Sequence, residues 1–474
     1  MSGHRRYRTL IAGLVGVVGL SASASWAGAS DYEPPLGSDP VSDRGILELP
    51  VGADIQTIVS RYGFTLLDSI PSRNIHLVSF LSQMTEEAFE LLFLGDPEID
   101  HSELNFETGD SGPSTQSTFL NVAPVEFQMQ PLWGSLGLDT AHQVSTGSGT
   151  TIAVIDTGLD ASHAFFAGRV HLAGISFVGA PGDTQDAGNG VNDDNEGGVD
   201  EMVGHGTWVA GLALAVAPDS LIMPIRALND EGFSDAFTVT KAVYHAIDHG
   251  ADVINMSLGS VAQVRIVERA VDDASDLGIV VVASGGNQGV PLLEFPAGNN
   301  KAMGVTAVDL NGVLAPFANF GDRLLLAAPG IDVIGPVPGG FGESSGTSAA
   351  APLAAGAAAL LIERGLVRRA DDFRAFAKDT AVDIRDQNPG IDRDLLGEGM
   401  LDLAALAAWP GPCFADLDDN DTLDLADVQA FVRSFTGLTP DGEPGEDVDY
   451  VEPRGVWDLA DVQFFLQAFL QGCP

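Results

Sequence analysis

Three residues of this 474-residue chain have the types and settings for acyl-transfer chemistry. Ser348 follows Gly346-Thr347 and opens an Ala/Leu-rich stretch that reads as a helix. Its hydroxyl therefore stands at a helix N-terminus, where unpaired backbone N–H groups and the positive end of the helix dipole can hold a developing oxyanion. Pro352 is tolerable only near a helix start, because deeper in it would remove a hydrogen bond. His205 lies between Gly204 and Gly206 at the start of a second Ala/Leu-rich helix, and Asp156 ends the apolar run 151–156. That run reads as a buried strand with the carboxylate at its carboxyl end. The three side chains have linked jobs. A serine attacks a carbonyl, an imidazole takes its proton, and a buried carboxylate fixes the imidazole tautomer and stabilises its charged form.

The motifs AVIDTGLD (153–160), GHGTWVAG (204–211) and SGTSAAAPLAAGAAALL (345–361) occur in the order Asp, His, Ser. On these motifs the chain resembles the subtilases, the subtilisin-like serine proteases, from about Gln130 to Ala408. Lesser echoes are NMSLGS (255–260), VVVASGGNQG (280–289), FPAG (295–298) and APFANFG (315–321). The resemblance implies a subtilisin-like three-layer α/β fold with a mostly parallel sheet. It also implies that Asn287 donates to the same oxyanion as the Ser348 N–H. Ser257-Leu258-Gly259 and Ser284-Gly285-Gly286 become extended segments that pair with substrate backbone. Trp208 stands where the family usually has a second histidine, and Ala349 and Leu353 replace common Met and His; none of these is a triad position.

The elements that must position these residues are legible as an alternation. Strands are expected at 151–156, 221–228, 252–258, 279–284 and 303–308, with helices at 236–248 and 262–276 closed by Gly250 and Gly278. Such alternation argues for a parallel sheet with helices on both faces. Ligands of such sheets bind beyond the carboxyl ends of the strands, where Asp156 and Asn287 fall.

Residues 1–29 read as a secretory signal: a basic segment at 4–8, an apolar one at 10–20 that is too short to favour a membrane span, and a small-residue cleavage site at 27–29. Within residues 30–107, a compact α/β pattern runs from about Arg44 to Glu107, with helices at 54–61 and 85–94 and strands at 64–70 and 75–81. Its place resembles the family's propeptide, a folding chaperone and temporary inhibitor; the alternative is an unrelated domain that is never removed. Residues 108–129 are expected to be linker and 130–408 the peptidase domain.

At 409 the composition breaks. Leu423-Asp424-Leu425-Ala426-Asp427-Val428-Gln429 recurs as Trp457-Asp458-Leu459-Ala460-Asp461-Val462-Gln463, an internal repeat. Asp416, Asp418, Asn420, Thr422, Asp424 and Asp427 occupy positions 1, 3, 5, 7, 9 and 12 of an EF-hand-type calcium loop, with Asp421 in place of the turn glycine. The second loop is degraded, with Tyr450, Glu452 and Arg454 where ligands belong. Paired half-EF-hands resemble dockerin modules, which implies a small, mostly helical, calcium-binding dockerin-like domain over 409–474 and a cohesin-like docking partner. Cys413 and Cys473 flank the module, and in an exported protein they are either a disulfide joining its ends or free thiols. The loop of Asp183, Asp186, Asp193, Asp194, Glu196, Asp200 and Glu201 offers either a further calcium site or a solvated surface loop.

A net charge of −44, from 66 acidic against 22 basic residues, argues against nucleic acid and anionic membranes as partners. The expectation is a secreted serine endopeptidase acting on proteins or peptides through an acyl-enzyme. It would be free or held at the cell surface by its C-terminal module. A non-catalytic, calcium-dependent docking protein with a degenerate protease fold is the alternative, and an exported esterase a third reading. The complete triad and Asn287 speak for the peptidase.

Overall fold

The structure, a computed structural model, describes residues 40–81, 84–109, 119–179, 182–192, 198–411, 423, 425–435 and 459–471. Uniformly apolar runs become the strands of a seven-stranded sheet: β1 (Thr151–Asp156), β2 (Ile175–Ser176), β3 (Leu221–Arg226), β4 (Val253–Met256), β5 (Val280–Ser284), β6 (Met303–Val308) and β7 (Leu324–Pro329). Their order is β7-β6-β5-β4-β1-β3-β2, and every neighbouring pair is parallel. Five strands match the expected runs to within two residues at either end. The short β2 and β7 are additions; β7 follows β6 through a loop with no helix, so strand–helix alternation does not point to it.

Pleating sorts the strand side chains into two cores. Ile152 and Val154 join the core shared with helices α1 (His205–Val216) and α4 (Thr347–Glu363). Ala153 and Ile155 join the opposite core, shared with α2 (Ala236–Asp248) and α3 (Arg265–Asp276). The result is three layers. The α4 helix is buried from Thr347 through Leu361, so its Ala-rich composition is what allows close packing against α1 and the sheet. By contrast α3 buries one stripe, Ile266, Val267, Ala270, Val271 and Ala274, at helical spacing.

Residues 40–109 form antiparallel strands Pro40–Glu48, Thr65–Ile70, Ile75–Ser79 and His101–Gly109 with helices Ile55–Tyr62 and Glu86–Leu92. The first and last strands were not among the expected elements. Their sheet lays Ile46, Ile70, Ile75 and Leu77 onto the α2/α3 face, within the same apolar core. It also supplies caps. The Glu103 carboxylate accepts the Arg265 and Ile266 N–H groups at 3.1 and 2.8 Å, and Asn105 Oδ1 accepts the Phe237 N–H at 3.1 Å. The starts of two parallel helices are thus satisfied from another part of the chain. Lys241–Asp68, Arg73–Asp248 and Arg269–Glu48 ion pairs rim the contact.

The expected linker needs correction. Leu120–Val122 pairs with strand Gly340–Ser344, and Pro124–Met129 is helical with Phe127 buried, so 119–129 belongs to the packed structure. Residues 110–118 lie outside the described residues. In the C-terminal repeat, helices Leu425–Phe435 and Leu459–Gln471 bring together the equivalent positions Phe431 and Phe465, stacked with centroids 4.1 Å apart. Asp427 and its counterpart Asp461 are fully buried. Asp416, Asp418, Asn420, Thr422, Asp424, Cys413 and Cys473 lie outside the described residues. Among the described residues no helix is long and apolar enough to cross a membrane.

Glu103→Ala is expected to uncap α3 at a cost of about 1–2 kcal/mol. Thermal unfolding of the full chain checks this through a lowered melting temperature, and an unchanged melting curve would refute the capping role.

Candidate active site

Asp156 ends β1 with no exposed surface. Its Oδ1 accepts the Thr157 N–H at 2.7 Å and the His205 Nδ1–H at 2.7 Å. With Asp156 as the acceptor of this bond, Nδ1 carries the proton and Nε2 the lone pair.

A buried network explains why the strand end and the α1 start meet. Helix α1 begins at Gly204, and Gly206 approaches the turn after Asp156 so closely that a Cβ there would sit 2.9 Å from Gly158 N. The Thr157 hydroxyl accepts the Gly206 N–H at 2.9 Å and donates to Asp186 Oδ1 at 3.0 Å. Asp186 also accepts the Gly204 N–H at 2.9 Å, the Thr207 N–H at 2.9 Å and the Thr207 hydroxyl at 2.6 Å. One carboxylate therefore ties the turn to the first turn of α1. Arg226, beside Asp156 across β1 and β3, donates to the Gln185 and Ala187 carbonyls on either side of it, at 2.9 and 3.4 Å. Burial pushes the Asp186 carboxyl above the usual carboxylate range, and its hydrogen-bond donors oppose that shift.

This corrects the reading of the acidic loop. Asp186 is not a solvated residue: it is buried, and its oxygens accept from the start of the His205 helix. Asp200 accepts the Asn189 and Gly190 N–H groups, while Glu231 accepts those of Asp200 and Glu201. Among the described residues no group of three or more His, Cys, Asp or Glu side chains is gathered to hold a metal, and Asp193, Asp194 and Glu196 lie outside them. The sequence signal that could have singled out Asp186 is weak, one acid among seven.

Ser348 is the second residue of α4, after an N-cap at Gly346, and is 5% exposed. Its N–H is among the helix-start donors that have no intrahelical acceptor. Pro352 has no N–H to offer the Ser348 carbonyl, and the Ser257 hydroxyl donates to that carbonyl instead, at 3.2 Å. Asn255 Nδ2 in turn donates to Ser257 Oγ at 3.0 Å. The Ser257 side chain therefore braces the serine's helix. Asn287 Oδ1 accepts both the Thr347 N–H and the Thr347 hydroxyl, at 2.9 and 3.0 Å. That fixes the amide with its NH2 on the other side, 3.8 Å from the Cβ position of Gly346. Trp208, the departure from the family pattern, donates its indole N–H to the Val333 carbonyl at 3.1 Å and packs edge-on against Phe119.

Ser257-Leu258-Gly259 and Ser284-Gly285-Gly286 continue from the carboxyl ends of β4 and β5. A further extended edge was not legible in the sequence. Phe233–Asp235 pairs antiparallel with Glu107–Gly109, the end of the N-terminal sheet. It is three residues long, and its Asp235 reads as the N-cap it also is, accepting the Thr238 N–H at 2.9 Å.

Fold and site define a class, the parallel α/β proteins that carry their chemistry at the carboxyl ends of the strands. Comparison with known proteins narrows it. Residues 147–400 match the model of the subtilase family. The thermophilic serine proteinase of Bacillus sp. (strain AK1) is 38% identical over 239 residues, 48% of this chain and 56% of that one. This chain thus spans little more than half the length of that relative. Thermitase of Thermoactinomyces vulgaris is 34% identical over 252 residues, covering 51% of this chain and 84% of its own. Subtilisin Savinase of Lederbergia lenta is 33% identical over 270 residues, covering 55% and 91%. The structure of fervidolysin from Fervidobacterium pennivorans superposes with a TM-score of 0.63 at 22% identity, over 79% of this chain and 62% of that one, a likeness of fold. The chain belongs to the subtilase family, a family of serine endopeptidases.

Asp186→Asn puts an NH2 against donors and leaves at least one buried group unsatisfied, at about 1–3 kcal/mol. The expected outcome is a lower melting temperature together with a fall in kcat of roughly tenfold or more, since 1.4 kcal/mol off the transition state is tenfold. Wild-type kcat in the variant would remove Asp186 from the support of the site.

Proposed function

We propose that the protein is an exported serine endopeptidase in which Ser348, His205 and Asp156 act as nucleophile, general base and orienting carboxylate. The observation that carries this reading is the buried 2.7 Å bond from His205 to Asp156 beneath two helix starts, one bearing His205 and the other Ser348. In the proposed cycle, Ser348 Oγ attacks the scissile carbonyl as its proton passes to His205 Nε2. The oxyanion receives hydrogen bonds from the Ser348 N–H and Asn287 Nδ2. Collapse breaks the C–N bond, the amine leaves with the proton from His205, and the acyl group stays on Ser348 as an ester. Water, deprotonated by His205, then hydrolyses that ester and restores the serine. The 284–286 and 257–259 backbones would align an extended substrate.

Residues 30–107 are read as an inhibitor-like propeptide, supported by their cover over α2 and α3 and by the Glu107–Gly109 pairing with Phe233–Asp235, which lays an extended segment along a sheet edge as a peptide would lie. Residues 1–29 are read as an export signal. The C-terminal module is read as a calcium-binding, dockerin-like unit with a cohesin-like partner, holding the enzyme free in the exterior or at a surface. Its support is the EF-hand spacing from Asp416 to Asp427 and the pairing of its two repeat helices. No metal enters the proposed chemistry.

A fluorophosphonate probe on the mature protein is expected to label Ser348 alone, and Ser348→Ala not at all; a folded protein without label contradicts the reading. Asn287→Ala is expected to lower kcat by about a hundred- to a thousandfold with little change in KM, the cost of one oxyanion donor. Steady-state kinetics on a peptide substrate checks it.

A further inference from the structure

Behind Asn287 the two glycine segments and a third piece of chain make a slot. Ser257-Leu258-Gly259 leaves β4 and Ser284-Gly285-Gly286 leaves β5, so the two form facing walls at neighbouring strand ends. Glu294-Phe295 crosses between them. The Glu294 N–H donates to the Gly285 carbonyl at 3.1 Å, and Phe295 exchanges two backbone hydrogen bonds with Ser260, at 2.8 and 2.9 Å. The slot's mouth lies at the serine. Gly286 directly precedes Asn287 and donates its N–H to Thr347 Oγ1 at 3.2 Å, and Ser257 is bonded to the Ser348 carbonyl.

A carboxylate lies between the walls. A Cβ on Gly259 would run into Glu294 Oε2 and lie 2.9 Å from Glu294 Cβ, and one on Gly286 would lie 2.8 Å from Glu294 Cδ. Glu294 is 4% exposed. Its Oε1 accepts the Gln288 amide at 2.5 Å, and Gln288 is held by Asn319 Nδ2 at 2.6 Å, which turns Oε2 toward the Gly259 wall. The floor of this slot is therefore a carboxyl group held by Gln288 against the backbone of Gly259 and Gly286.

We propose that Glu294 sets the side-chain preference of the enzyme, and that the slot takes the lysine or arginine side chain of the residue whose carbonyl Ser348 attacks. The inference rests on the peptidase reading above. The residue whose carbonyl oxygen lies between Asn287 and the Ser348 N–H has the mouth of the slot beside its Cα. A long side chain entering there runs between two glycine walls that accept its methylenes and brings its cationic head to Oε2, where an ionised pair inside a low-dielectric slot outweighs a neutral contact. A glutamine at 294 keeps the shape and removes the charge.

The test compares kcat/KM on peptides that differ only in that residue, Lys, Arg, Leu or Phe, for wild type and Glu294→Gln, with active sites counted by fluorophosphonate titration so that misfolded protein does not enter. The wild type is expected to prefer Lys and Arg, and Glu294→Gln to lower the basic-to-apolar ratio by roughly ten- to a hundredfold. Glu294→Asp, which keeps the charge, is expected to retain a basic preference. Titratable serine with a wild-type ratio favouring Leu or Phe, or a ratio unmoved by Glu294→Gln, overturns the pocket assignment alone and makes Glu294 a structural plug. Absence of titratable serine in folded wild type overturns the peptidase reading and the pocket with it.

Discussion

A carboxylate inside a protein accepts hydrogen bonds and donates none, and two such groups govern the geometry of this site. Asp156 fixes the imidazole through His205 Nδ1, and Asp186 gathers Thr157, Gly204 and Thr207 around itself so that the strand end and the helix start cannot drift apart. Asp186 is not replaceable by a donor of similar size without leaving a buried polar group unpaired, since both of its oxygens accept. The position of His205 follows from this constraint more than from the propensity of the helix it begins.

The serine side is held by a parallel set of substitutions of one hydrogen bond for another. Pro352 withholds a donor, Ser257 supplies one, and Asn255 orients Ser257. Thr347 engages the oxygen of Asn287 and thereby aims its nitrogen. Helices α1 and α4 bring the two halves together because both are almost wholly buried against the same face of the sheet. On the other face, Glu103 accepts the first N–H groups of α3, and Asn105 adds an acceptor at the start of α2 beside that helix's own N-cap, Asp235.

Much of this was legible in the sequence, and the reasons differ by element. Apolar runs such as 151–156 and 303–308 leave little choice of structure, and glycine closes the helices at 250 and 278 as expected. Strands 40–48 and 101–109 were not legible, since both mix Asp, Glu or His with a few apolar residues and owe their state to pairing with each other and with strands 75–79 and 233–235. Residues 119–129 read as linker because their partner, Gly340–Ser344, is distant in the chain. Asp156, His205 and Ser348 stand out through their glycine-flanked settings. Asp186 and Glu294 do not, because the backbone donors and glycine walls around them come from segments that only the fold brings close.

The most direct measurement is the rate of fluorophosphonate labelling of Ser348 in Asp156→Asn, with thermal unfolding in parallel. Asp156 Oδ1 accepts both the Thr157 N–H and the His205 Nδ1–H, so the asparagine keeps that acceptor and removes the charge that stabilises the imidazolium. The labelling rate is then expected to fall by about a hundredfold or more, while the protein stays folded. A folded variant that labels at the wild-type rate would contradict the placement of His205 as the base and Asp156 as its support.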